Sequence, residues 1–146
     1  MPEVVDGDDI ADRIHSAAIH LLRRVAEVDA GSGLSPARLS ALSVIVYGGP
    51  LTMTDLATAE QVSPATVTSS VTGLERSGLV RRRRDGPDAR RVTVEATTAG
   101  RDLMAASRAR RLAVLRQALD ALAPAERASI GAAAHAIERM LSRPPC

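Results

Sequence analysis

Between residues 10 and 28 the apolar side chains recur at helical spacing, at Ile10, Ile14, Ala17, Ala18, Leu21, Leu22, Val25 and Val28. Asp8 and Asp9 stand where carboxylates cap and complement a helix N-terminus, and Gly31-Ser32-Gly33 ends the run. A second helix is predicted from Ser35-Pro36, an N-cap followed by a first-turn proline. It carries Leu39, Leu42, Val44, Ile45 and Val46 as far as Gly48-Gly49-Pro50. Thr52 with Asp55 three positions on reads as an acidic capping box opening a short helix that buries Leu56 and Ala57. After the brief connection at Gln61-Val62, Ser63-Pro64 starts another helix, with Val67, Val71 and Leu74 facing inward. A short helix, a turn and a longer helix make a helix-turn-helix.

The pattern then changes period. Ser77-Gly78 closes the helix, and Val92, Val94 and Ala96 alternate with Arg91, Thr93 and Glu95, as in a strand with one buried face. Residues 80–84 and 90–96 thus pair as antiparallel strands around Asp85-Gly86-Pro87-Asp88-Ala89, a hairpin directly after the helix-turn-helix. That order is a winged helix. From Thr97-Thr98 the helical period returns through Leu103, Met104, Leu112, Val114, Leu115, Leu119 and Leu122 until Ala123-Pro124. A last amphipathic helix carries Ile130, Ala133, Ala134, Ile137, Met140 and Leu141. The first helix and the last two are more apolar than a small winged domain can bury, so a subunit interface is the expected sink.

Composition narrows this picture. With 146 residues the chain suits one domain, and with 45% apolar residues but no Phe, no Trp and only Tyr47 its core is aliphatic. The formal net charge is only +2, so distribution matters more than total. All nineteen basic residues are arginines, and six fall between positions 81 and 91 against Asp85 and Asp88, a local excess of four positive charges. Like charges crowded on a two-stranded ribbon favour a polyanion as partner, and guanidinium groups at a ribbon tip suit the narrow minor groove of DNA. On the helix from Ser63, the side chains pointing away from the core are Thr66, Thr68, Ser69, Thr72 and Arg76. These are weak helix formers, but they suit close approach to base edges and phosphates. Gly73 in the same helix permits something to come close.

Enzyme chemistry finds little footing. His15 and His20 are five apart rather than the four of a helical metal pair, and His135 is remote. No G-x-S-x-G, phosphate loop or placed cysteine nucleophile is present, and Cys146, the last residue, has no partner in the chain for a disulfide. No cofactor and no metal are expected. The acidic first twelve residues do not resemble a secretory signal, and no run of eighteen apolar residues occurs, so a cytoplasmic protein without a membrane partner is expected.

With these elements placed, the chain resembles the MarR family of winged-helix transcription regulators from about residue 10 to 141. The likeness is most specific in LTMTDLATAEQVSPATVTSSVTGLERSGLVRRRRDGPDARRVTVEATTAG, residues 51–100. This holds the Leu74-Glu75-Arg76-x-Gly78-Leu79-Val80 segment, the Asp88-x-Arg90 of the wing and the Thr97-x-x-Gly100 that opens the fifth helix. The resemblance implies a mainly α fold with a small β-hairpin wing. Residues 8–34 and 98–146 would form dimerisation helices, and 35–97 the DNA-binding region, within a single domain spanning 1–146. It also implies a homodimer on a pseudo-palindromic operator in double-stranded DNA, commonly a repressor relieved by a small-molecule effector. By analogy the helix from Ser63 enters the major groove, while Arg90 reaches the minor groove with its guanidinium held by Asp88.

The expected DNA contacts begin with Ser35, Arg38, Thr52 and Thr54, ahead of the recognition helix. On that helix they are Ser63, Pro64, Ala65, Thr66, Thr68, Ser69, Thr72 and Arg76. At the wing they are Arg84, Asp88, Arg90 and Arg91, with Arg81 and Arg82 mostly at the hairpin base. Many relatives carry a basic residue where Ser69 and Gly73 stand, which shifts the phosphate grip here toward Arg76 and the arginine block. No cysteine before Cys146 supports thiol sensing, and Tyr47 is the only aromatic available to stack on a phenolic ligand. The competing readings are a winged-helix module that binds protein instead of DNA, and a small hydrolase.

Overall fold

The computed structural model describes residues 6–84 and 92–142. Helix α1, Gly7–Asp29, is capped by the Asp6 side chain, which accepts from the Asp8 backbone N–H. The acidic residues Asp8 and Asp9 occupy its first turn rather than the cap. A 3-10 turn, Ala30–Ser32, leads to α2, Pro36–Gly48, whose N-cap is Ser35. A two-residue strand β1, Leu51–Thr52, precedes α3, Met53–Glu60, and α4 spans Pro64–Arg76 with Ser63 as N-cap. Strands β2, Val80–Arg84, and β3, Val92–Ala96, lead into α5, Thr98–Asp120, and α6, Pro124–Leu141. None of the described helices is long and apolar enough to cross a membrane.

The Thr52 expectation needs correction. Its hydroxyl accepts from the Asp55 N–H at 3.1 Å but donates to the Asp55 carboxylate at 2.8 Å, so the carboxylate does not reach back to the Thr52 backbone. The cap is real, whereas the reciprocal half of a capping box is not.

The hairpin is part of a three-stranded antiparallel sheet of order β1-β3-β2. Leu51 and Thr52 pair with Val94 and Thr93, and Val80 to Arg84 pair with Ala96 to Val92. A central position in the sheet accounts for a departure from the alternating pattern, since Thr93 is buried along with Val94 and Ala96.

The chain divides into two compact units, Met1–Ala109 and Arg110–Cys146. In the first, one aliphatic cluster joins Leu39, Leu42 and Ile45 of α2, Leu56 of α3, Val67, Val71 and Leu74 of α4, Val80 and Val94 of the sheet, and Met104 of α5. The passage from α4 through the sheet to α5 is locked at its corner. Thr97 Oγ1 donates to the Gly78 carbonyl at 2.7 Å and accepts from the Gly100 N–H at 3.1 Å. A Cβ on Gly100 would collide with the Leu79 carbonyl, so the Thr97-x-x-Gly100 motif is a close backbone crossing. In the second unit the Ala123 N–H donates to the Glu126 carboxylate at 2.9 Å, and Arg127 reaches Asp120 at 3.5 Å across the turn into α6.

Candidate nucleic-acid interface

Two serine N-caps, each followed by proline, set the geometry of the site. Ser35 Oγ accepts from the Arg38 N–H at 3.3 Å, and Ser63 Oγ accepts from the Thr66 N–H at 3.2 Å. Each cap satisfies a backbone donor that would otherwise be orphaned at a helix start. Val67, Val71 and Leu74 hold one face of α4 in the core, and Thr66, Thr68, Ser69 and Arg76 are left exposed on the remainder. The turn before α4 is tight. Gln61 takes a left-handed conformation, φ 54°, and the Val62 N–H donates to the Ala57 carbonyl at 3.2 Å.

The predicted contacts fall into separate groups. Ser35, Arg38, Ala65, Thr66 and Ser69 line one open cleft of about 650 Å³ between the start of α2 and α4, together with Ala37 and Ser70. Thr54, Pro64 and Thr68 line a second, of about 350 Å³, between α3 and α4. Thr52 is absorbed in its exchange with Asp55. Thr72 is half-buried and accepts from the Arg82 guanidinium at 3.3 Å, so it braces the sheet as much as it faces outward. Asp88, Arg90 and Arg91 lie outside the described residues.

The hydroxyls on α4 are not equivalent. Thr68 Oγ1 gives its proton to the Pro64 carbonyl at 2.9 Å, and Thr66 Oγ1 shares one with Ser63 at 2.9 Å. Phosphate oxygens only accept, so Thr68 offers an outside partner its methyl and lone pairs more readily than a proton. Ser69 is exposed and makes no hydrogen bond among the described residues, which leaves its proton available.

The arginine block is similarly divided. Facing pairs in an antiparallel ladder share a side of the sheet, so Arg82 and Arg84 lie on the side of Val94 and Val92, and Arg81 and Arg83 on the side of Glu95. Arg81 meets Glu95 at 2.6 Å, Arg83 approaches the same carboxylate at 3.8 Å, and Arg82 reaches Glu75 of α4 at 2.8 Å. Much of the repulsion expected of four consecutive arginines is therefore relieved within the protein by Glu75 and Glu95, two site residues that charge counting overlooked. The sequence reading did not give this partner: strands 80–84 and 90–96 paired about residue 87 set Arg81 opposite Thr93, whereas the observed register sets it opposite Glu95. Arg84, Arg38 and Arg76 are exposed, and their guanidinium groups make no hydrogen bond or ion pair among the described residues. They are guanidinium groups open to an external anion.

Residues 32–91, which span the hydroxyl-bearing helix α4, the start of α2 and the arginine-rich ribbon, match the model of the MarR family. Over that segment the chain is similar to the MarR family. It is 29% identical over 136 residues, 93% of this chain and 95% of the relative, to an uncharacterized HTH-type transcriptional regulator, Mb0904, of Mycobacterium bovis. Over 74 residues it is 36% identical to the HTH-type transcriptional repressor YetL of Bacillus subtilis, which covers 49% of this chain and 44% of YetL. The crystal structure of RV1404 from Mycobacterium tuberculosis superposes with a TM-score of 0.84 at 22% identity, covering 98% of this chain and 99% of that one. The fold of that structure is thus shared along almost the whole length.

Proposed function

We propose that this chain is a MarR-family transcription regulator, a homodimer that grips a pseudo-palindromic DNA site and represses transcription until a small-molecule effector releases it. The observation that carries the reading is the cleft between α2 and α4, where Ser35, Arg38, Thr66 and Ser69 converge without an internal acid to neutralise the guanidinium. α4 lies in the major groove, with Ser69 and Arg76 donating to phosphates or base edges and the Thr68 methyl available to a thymine methyl. The ribbon reaches the minor groove through Arg90, steadied by Asp88, with Arg84 and Arg91 beside phosphates. The two half-sites lie about one helical turn apart, roughly 34 to 36 Å.

Residues 35–97 form the DNA-reading region, while 8–34 and 98–146 supply the dimer contacts. Support for that division comes from α1 and α6, which bury no residue and expose Ile10, Leu21, Leu22, Ile130, Met140 and Leu141. Repression follows YetL, which is named a repressor. Effector release follows the habit of the family, and the protein works in the cytoplasm, where its DNA is.

The wing is tested by Arg90→Ala in a mobility-shift titration, where a loss of at least tenfold in operator affinity is expected. A folded Arg90→Ala protein that binds as tightly as the parent contradicts the wing assignment.

A further inference from the structure

We infer that Gly73 is a positioning residue for the DNA grip, a bare patch on α4 that seats the Arg38 guanidinium; the inference rests on the DNA-binding reading above. Glycine is among the poorest residues for a helix interior. The backbone does not call for it here, since among the described residues the glycines with positive φ are Gly33, Gly49 and Gly78 and not Gly73. What calls for it is space. A Cβ at Gly73 would stand 2.5 Å from Cζ and Nε of Arg38 and 2.7 Å from Nη2, and no other atom comes closer. The guanidinium of Arg38 therefore lies directly against the α4 backbone.

Arg38 sits in the first turn of α2, with its own N–H held by Ser35 Oγ. Its guanidinium has no hydrogen bond or ion pair among the described residues, yet it lines the same cleft as Ser35, Thr66 and Ser69. A guanidinium presents its donors around the edge of a plane and can rest a face on a neighbouring surface. Resting on Gly73, it needs no internal acid to hold it, and its donors stay available to an acceptor from outside. A long side chain fixed in advance also loses less freedom when a phosphate arrives. Any side chain at position 73 removes the seat while leaving the charge of Arg38 in place. Gly73 acts through Arg38 and does not itself touch DNA.

The test is a cycle of the parent, Gly73→Ala, Arg38→Gln and the double variant. Each is measured by thermal melting and by fluorescence anisotropy on a random-sequence duplex of about three turns, because phosphate contacts do not depend on sequence. Gly73→Ala is expected to melt at or above the parent temperature, since alanine favours helix and the displaced group is the mobile end of a side chain. It should nonetheless bind DNA on the order of tenfold more weakly, with a log–log salt slope shallower by about 0.9 for each phosphate that is no longer neutralised. Arg38→Gln should show the same loss, and the double variant no more than either alone.

Parent-like binding by Gly73→Ala beside a weakened Arg38→Gln overturns the inference and leaves DNA binding intact. An equal further loss when Gly73→Ala is added to Arg38→Gln also overturns it, because Gly73 would then act without Arg38. If Gly73→Ala melts low, adding Arg38→Gln must restore the melting temperature; failure to do so places the clash elsewhere and overturns the inference. A parent protein that ignores the duplex at low salt removes the DNA-binding reading, and this inference with it.

Discussion

The helices nearest the two ends of the chain, α1 and α6, contain no buried residue, whereas α2, α3 and α4 between them hold Leu39, Leu42, Ile45, Leu56, Val67, Val71 and Leu74 in a closed cluster. Both regions are rich in aliphatic side chains, so composition does not separate them. The difference lies in what each apolar face meets within one chain. The central segment folds its three helices and a small sheet onto one another. In α1 and α6, Leu22 stays 65% exposed and Leu141 74% exposed. The apolar faces of α2, α3 and α4 are closed within one copy while those of α1 and α6 stay open, which is the contrast the proposed dimer rests on.

Substitutions can break or sharpen this contrast. Leu42, fully buried, should cost about 3 kcal/mol on truncation to alanine, seen as a fall in melting temperature of roughly 10 °C. Leu22→Glu should spare the helical circular-dichroism signal yet weaken self-association by more than tenfold in sedimentation equilibrium, on the order of 2 kcal/mol for one interfacial leucine. A stable Leu42→Ala protein would erase the distinction from one side, and an unchanged Leu22→Glu dimer from the other.

Smaller effects separate scaffold from contact within the reading head. Ser63→Ala removes the cap of α4 and should cost about 1 kcal/mol in denaturant unfolding, whereas Ser69→Ala should leave stability unchanged while altering DNA preference. Arg81→Ala removes the nearer partner of Glu95, whose side chain is only 14% exposed, and should cost about 1 kcal/mol by the same measurement. Gln61→Gly relieves the left-handed backbone at the turn and should raise stability by a few tenths of a kcal/mol.

Local chemistry makes most of this architecture legible in the sequence alone. Ser35-Pro36 and Ser63-Pro64 announce their helices because capping is decided within four residues, and Val67, Val71 and Leu74 announce the buried face of α4 because helical spacing is short-range. What stays hidden depends on distant partners. Strand β1 is two residues long and exists only because Leu51 and Thr52 meet Val94 and Thr93. The burial of Thr93 follows from the same neighbour. Glu75 and Glu95 read as ordinary charges until the fold sets them beside Arg82 and Arg81. Likewise Gly73 advertises that something comes close, but naming Arg38 requires the crossing of α2 over α4.

The central claim is that two copies of one reading head address one duplex. Selection of binding sites by the parent protein from a random-sequence duplex library tests it most directly. The account predicts enrichment of an inverted repeat whose half-sites are centred about one helical turn apart, roughly 10 base pairs, on one face of the DNA. Enrichment of a single unrepeated element, or no enrichment at all, would contradict it.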